Sequence, residues 1–240
     1  MEYLDLLSRL GVPSAHPGGF SATRRAAEKL GPGPLHILEV GCGTGKTACY
    51  FAKRGYRVTA LDMHPVMLDK ARKRAENEGV RDIQWVEGSV EALPFEDGTF
   101  DVVYAESVTI FTSVSNSLKE YYRVLAPGGR LMDRELVLFA EMPEPVYKEI
   151  RDYFKFDKIL SPDEWVEQIR AAGFECERPE LDAMRAFENR ADPSEFQELE
   201  LSELFDPEVG QGIMKYADLM LAQEPYFRAC DFLAVKPGKF

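Results

Sequence analysis

Two groups of residues in this 240-residue chain have the types and spacing to do chemistry. The first is Glu39-Val40-Gly41-Cys42-Gly43-Thr44-Gly45, with Asp62 about 20 residues after the first glycine. Glycines at alternate positions allow a tight turn, a close approach of backbone to ligand and close packing of the helix that follows. An acid after the next strand can accept from both hydroxyls of a ribose. The second group is Glu106-Ser107-Val108-Thr109-Ile110-Phe111, following the fourth expected strand. There Glu106 is the polar group best placed to orient an acceptor or to attract a cationic one. His16, in the loop Ser14 to Phe20, is the other candidate for moving a proton. Each has a plain alternative, a water-exposed acid for Glu106 and an ordinary surface residue for His16. Tyr3, Phe20, Tyr147 and Arg134 are further candidates to line a pocket.

The elements around the first group read as strand (Leu35 to Val40), glycine turn, helix (Lys46 to Arg54, with Gly55 just beyond it), strand (Tyr56 to Leu61) and acid. This is the first half of a nucleotide-binding βαβ unit. The G-x-G-x-x-G fingerprint of dinucleotide enzymes fails because position 46 is Lys46. The phosphate loop G-x-x-x-x-G-K-[ST] fails because it needs glycine at position 40, where Val40 sits in the strand. What remains is E-x-G-x-G-x-G, which resembles the first motif of class I S-adenosylmethionine-dependent methyltransferases. A cationic ligand without phosphate makes an acid beside the loop favourable rather than repulsive.

Composition narrows the partners. The chain has 29 Lys and Arg against 41 Asp and Glu, a formal charge of −12. That disfavours a phosphate backbone, which needs clustered basic residues, so no nucleic-acid partner is expected. No apolar run approaches a membrane span and no leader pattern opens the chain, so we expect a cytoplasmic protein. The four cysteines, Cys42, Cys49, Cys176 and Cys230, have neither paired spacing nor histidines at metal-ligand spacing, and packed free thiols with no metal site are expected.

Along the rest of the chain, Tyr3, Leu4, Leu6, Leu7 and Leu10 predict a short amphipathic helix ended by Gly11 and Pro13. A second helix is predicted from Ser21 to Leu30, with Ser21 as cap. Pro65 opens a helix to about Glu78. Ile83 to Glu87 and Phe100 to Ala105 read as strands, and Val114 to Leu125 as a helix. Pro127-Gly128-Gly129 is a turn into a strand from Arg130 to Leu138. Ser161-Pro162-Asp163-Glu164 is a capping box opening a helix to Ala172. Phe174 to Arg178 and Ala229 to Lys236 are the last strands, and helical patterns lie around Ser194 to Leu204 and Gly210 to Leu221.

The stretches LPFEDGTFDVVYAES and LKEYYRVLAPGGRLM extend the resemblance from about Leu35 to Leu138 and look like the quinone-biosynthesis type of small-molecule methyltransferase. The resemblance implies an α/β class, a doubly wound, mostly parallel seven-stranded sheet whose last strand enters antiparallel between its two predecessors, with helical lid insertions. It implies one domain over residues 1–240. Residues 1–34 would form N-terminal helices or lid, 35–138 the cofactor-binding core, 139–160 and 179–228 lid or flank insertions, and 229–236 the last strand. It implies S-adenosylmethionine as cofactor. Glu39, the loop Gly41, Cys42, Gly43 and Gly45 would hold the methionine end, and Asp62 the ribose. Met63 would pack on the adenine face, Ser89 and Val90 would meet its edge, and the backbone of Ala105 would face the amino group. Ser89 departs from the aspartate common there, and the histidine often found after strand four is absent. The expected reaction is in-line methyl transfer to a small-molecule acceptor. With Glu106 as the free polar group, a neutral or cationic acceptor such as an amine is favoured. The alternatives are a non-catalytic binding module of the same fold and, more remotely, a phosphate-loop NTPase.

Overall fold

Strands that are apolar along their whole length must be covered on both faces, and helices with one apolar side supply the cover. The computed structural model describes residues 1–179, 181–185 and 198–238. Its strands are β1 (His36–Val40), β2 (Arg57–Asp62), β3 (Ile83–Glu87), β4 (Phe100–Glu106), β5 (Leu125–Leu138), β6 (Glu175–Cys176), β7 (Leu181–Arg185) and β8 (Phe227–Val235). Seven follow the order β3-β2-β1-β4-β5-β8-β6, and β7 pairs with β8 off that path. The first five run parallel. β8 lies antiparallel between β5 and β6, as expected of the last strand. Side chains alternate across the central strands. Leu38, Val40 and Val103 join one buried cluster, and Ile37, Val102 and Tyr104 join the cluster on the opposite face.

The helices are α1 (Tyr3–Leu10), α2 (Gly19–Glu28), α3 (Lys46–Lys53), α4 (Pro65–Asn77), α5 (Val114–Val124), α6 (Glu144–Phe154), α7 (Pro162–Ala171) and α8 (Pro207–Gln223). Ala27, Phe51 and Leu68 place α2, α3 and α4 on one face, and Tyr121, Ile150 and Trp165 place α5, α6 and α7 on the other. α1 joins α8 through Leu6, Leu10 and Val209. Among the described residues no helix is long and apolar enough to cross a membrane.

Several boundaries differ from the sequence reading. α2 begins at Gly19 rather than Ser21, because Gly18 and Gly19 both take positive φ and turn the chain into the helix two residues early, with no side-chain cap. The Pro127-Gly128-Gly129 turn is an irregularity inside one long β5, where the register with β4 shifts between Phe100 and Val102. β6 is only two residues, Glu175 and Cys176. The capping box at Ser161 is formed in both directions, with Ser161 Oγ accepting from the Glu164 N–H and Glu164 accepting from the Ser161 N–H. Of the pattern around Ser194 to Leu204, residues 194–197 lie outside the described residues, and Leu201–Phe205 is a 3-10 turn. The pattern from Gly210 to Leu221 is the body of α8.

Candidate active site

Strand order reverses between β1 and β4, and a doubly wound sheet opens its crevice at such a point, beyond the carboxyl ends of the strands. Val40 and Ala105 are register partners, so the glycine loop and the segment after β4 leave the sheet side by side. The loop is shaped by contact. Gly41 has φ +60°, and a Cβ there would stand 2.4 Å from Val108 Cγ2. Gly45 has φ +75°, and its Cβ would come within 2.8 Å of the Ala71 Cβ and 2.9 Å of the Trp85 ring. Gly45 therefore serves packing of the helix end. Around Gly43 the corresponding space is open. The Gly43 N–H donates to Asp62 Oδ2 (2.8 Å) and the His64 N–H to Asp62 Oδ1 (2.8 Å), which holds that carboxylate against the loop.

A cavity of about 490 Å³ opens here. Among the described residues six acids line it, Glu2, Asp5, Glu39, Asp62, Glu91 and Glu106. Burial pushes the Glu39 carboxyl well up from its usual range, and the charges of Glu106 and Asp62 add to this. Glu39 Oε2 has no partner. Asp62 is also raised by burial, against the opposing effect of the His64 and Gly43 N–H groups. A buried, acid-ringed cavity with an unpartnered carboxylate oxygen is complementary to a cation. Cys42, Gly43, Met63, Ser89 and Val90 line the same cavity. The Met63 side chain is free, the residue being 69% exposed. Burial raises the Cys42 thiol, so it stays protonated and serves as a small wall residue. Ser89 Oγ accepts from the Glu91 N–H (3.2 Å), shaping the turn. Ala105 and Gly45 stand behind the wall, Ala105 in the ladder between Val40 and Asp133.

Glu106 is not the open acid that the sequence suggests. Its carboxylate accepts from Tyr104 (2.8 Å), Thr23 (2.9 and 3.0 Å) and Thr47 (3.4 Å), and His16 Nε2 stands 3.4 Å away. The His16 and Glu106 side chains are only 6% and 8% exposed, so neither is a surface group. His16 also lines a second cavity of about 510 Å³, shared with Tyr3, Leu7, Ser14, Ser107 and Phe111 of the first. α1, α6 and α8 wall this chamber with apolar side chains, including Leu6, Phe154, Phe156, Ile213 and Met220. Tyr3 stacks on Phe111 and Tyr216, with ring centroids 6.0 and 5.4 Å apart. Eight buried side-chain polar atoms among the described residues have no partner. Five of them, on Ser14, His16, Glu39, His64 and Ser107, line the first cavity. Ser107 sits at φ +55°, strained backbone of the kind held at functional sites.

Residues 38–132 match the family model described as a methyltransferase domain. An uncharacterized methyltransferase of Bacillus subtilis is 36% identical over 236 residues, 98% of this chain and 99% of that protein. This chain belongs to the class I S-adenosylmethionine-dependent methyltransferases. A ubiquinone/menaquinone biosynthesis C-methyltransferase of Roseobacter denitrificans is 42% identical over 140 residues, 56% of this chain, which spans about half (52%) of that relative. Among solved structures, a [4+2]-cyclase matches at TM-score 0.78 and 24% identity, covering 98% of this chain and 94% of that one. A phosphoethanolamine N-methyltransferase of Haemonchus contortus, solved with S-adenosyl-L-methionine, matches at TM-score 0.75 and 20% identity, covering 98% and 56%. These two likenesses show the fold alone.

Three of the four further candidate wall residues of this methyltransferase lie elsewhere. Arg134 pairs with Asp231 and donates to the Pro17 carbonyl (2.7 Å), so it brackets the loop that carries His16. Tyr147 accepts from the Ile159 N–H (3.1 Å), and the Phe20 ring packs on Tyr50 and under Lys46 Nζ. Tyr3 alone reaches both cavities. Lys46, which a phosphate loop would aim at its ligand, pairs with Glu198 at 3.2 Å. Sequence reasoning missed Asp133 and Glu135, both buried beneath the segment after β4. Glu135 Oε1 accepts from the N–H groups of Val108 (3.0 Å) and Thr109 (2.8 Å), and Thr109 Oγ1 donates to Asp133 Oδ2 (2.9 Å). The available signal was two acids flanking Arg134 inside an otherwise apolar strand.

Proposed function

We propose that the chain moves a methyl group from S-adenosylmethionine to a small-molecule acceptor by in-line displacement. The observation that carries this reading is the joining of an acid-ringed cavity, through a shared wall, to a chamber whose described lining is mostly apolar. The residues present fit the cofactor. Unpartnered Glu39 suits its cationic end, open space above Gly43 suits close backbone approach, and Asp62 keeps acceptor capacity on both oxygens for a ribose. Cys42, Met63, Ser89 and Val90 would complete the wall around the nucleoside, with Gly41, Gly45 and the strand end at Ala105 shaping the loop behind it. The cofactor supplies an already activated methyl carbon. The protein then has to align the acceptor and exclude water, and the chamber under α1, α6 and α8 is built for both. The quinone-biosynthesis relatives support a small-molecule methyltransferase.

Calorimetry tests the reading. S-adenosylmethionine and S-adenosylhomocysteine should bind, and NAD and ATP much more weakly. Each charge-assisted hydrogen bond from Asp62 to ribose is worth about 1.5–3 kcal/mol. Asp62→Ala should therefore raise the dissociation constant by roughly one to several decades while the fold survives. Tight magnesium-dependent ATP binding, or an unchanged constant in Asp62→Ala, overturns the assignment. Turnover to S-adenosylhomocysteine with any acceptor separates an enzyme from a binding module.

A further inference from the structure

We infer that His16 is the general base of this site, positioned by Glu106, and that the acceptor is a neutral, apolar molecule carrying a phenol-type hydroxyl. This rests on the methyl-transfer reading above. His16 Nε2 faces Glu106 Oε2 and Thr23 Oγ1, each at 3.4 Å. The carboxylate favours the tautomer with its proton on Nε2, which leaves the lone pair on Nδ1. Nδ1 is buried and has no partner, on a side chain that lines both cavities. The loop is pinned from the sheet. Arg134 donates to the Pro17 carbonyl, and a Cβ on Gly18 would lie 3.0 Å from Arg134 Nη2. An imidazole held by a carboxylate, on a loop bracketed by a buried arginine, is a fixed base.

The chamber selects the acceptor. Among the described residues that line it there is no Asp, Glu, Lys or Arg. An ammonium, carboxylate or phosphate would lose its hydration there with no opposite charge in return. The rings of Tyr3, Phe111, Phe154, Phe156 and Tyr216 suit a flat apolar body. Ser14 and Ser107, whose hydroxyls have no partner, stand with His16 where the two cavities meet, and suit one polar group. A phenol ionises only near pH 10, so as a neutral molecule it attacks poorly without a base. In the step, the hydroxyl oxygen forms a bond to the methyl carbon. The carbon–sulfur bond breaks, and its electron pair stays on sulfur as a neutral thioether. The hydroxyl proton passes to Nδ1, and Glu106 offsets the charge of the imidazolium. The amine-type acceptor expected for an open Glu106 loses its basis, because that carboxylate is committed to Tyr104, Thr23 and Thr47.

The test uses the full chain with three probes: 4-hexylphenol, 2,6-difluoro-4-hexylphenol assayed where it is already ionised, and 4-hexylaniline. The readouts are S-adenosylhomocysteine formation and calorimetric binding of 4-hexylphenol to protein loaded with S-adenosylhomocysteine. Wild type should bind and methylate 4-hexylphenol. His16→Gln should bind the cofactor and the probe as wild type does and lose roughly 10²- to 10⁴-fold in kcat for 4-hexylphenol. With the ionised difluorophenol, the His16→Gln loss should shrink to less than about tenfold, because no proton remains to be removed. Glu106→Gln should follow the same pattern with a smaller loss. Equal losses on both phenols, or wild-type kcat in His16→Gln, overturn the base assignment. Methylation of 4-hexylaniline with neither phenol methylated, or cofactor binding without turnover of any phenol, overturns the acceptor class and leaves the methyltransferase reading standing. Absence of cofactor binding sinks both.

Discussion

Asp133 and Glu135 show how single side chains hold the wall of the site. As two carboxylates, Asp133 Oδ1 and Glu135 Oε2 would both lack a donor. Burial raises Glu135 well above its usual range, and the Asp133 charge and hydrogen bond raise it further. The direction favours a protonated Glu135 beside Asp133, and Glu135 Oε1 caps the Val108 and Thr109 N–H groups. Burial also lifts Asp133, to about 7, against the lowering by Thr109 and Glu135. In the unfolded chain an aspartate titrates near 3.9. Between about pH 4 and pH 7 the native state therefore holds more protons than the unfolded state, and stability falls as pH rises by about 1.4 kcal/mol per unit for one such proton. Asp133→Asn should flatten that part of the curve in urea midpoints taken from pH 4 to 8. An unchanged slope rules out Asp133 as its source. Glu135→Ala leaves two backbone N–H groups unsatisfied and should cost about 2–4 kcal/mol. Glu135→Gln retains both a donor and an acceptor and should lose much less.

Among the elements, the join between the glycine loop and its helix leaves no room for a side chain. The 2.8 Å approach of a Gly45 Cβ to Ala71 brings the start of α3 directly against α4. Arg74 of α4 secures the same join by donating to the Thr44 carbonyl (2.8 Å). Gly45→Ala should cost about 2 kcal/mol, from overpacking and a positive φ together. Ala71→Gly in the same chain should recover part of that, and only part, because the Trp85 ring at 2.9 Å remains. A double-mutant cycle on urea midpoints reads the coupling directly. Full additivity of the two changes removes Ala71 as the contact that requires glycine.

Over the whole molecule, the site is closed by pieces that come from far apart in the chain. α1 has eight residues and cannot be stable alone. It is held by Tyr3 in the aromatic cluster, by Leu6 and Leu10 on α8, and by Arg9, which pairs with Glu203 and Asp206. Most of these contacts surround the two cavities, so ligands that fill them should order the segment. Protease protection of Met1 to Phe20 should rise with S-adenosylhomocysteine, and rise again with an apolar acceptor probe. Identical cleavage rates in all three states remove the lid role.

Local chemistry determined the sheet and the glycine loop. Glycine spacing, Pro65, the capping box at Ser161 and the apolar strand runs act within a few residues of themselves, and the structure places their elements close to the expected bounds. That Glu39 and Asp62 would lie side by side on one cavity was legible for the same reason, since it follows from the carboxyl-terminal ends of β1 and β2. The acceptor side was not legible. His16 meets Glu106 across 90 positions of chain, and Arg134 turns away to Pro17 and Asp231. Whether an acid is free or committed depends on which donors the fold brings to it. Thr23, Thr47 and Tyr104 reach Glu106 only once α2, α3 and β4 have packed together. Tertiary packing committed the Glu106 carboxylate to these donors and set the His16 imidazole, buried beside it, on the wall of both cavities.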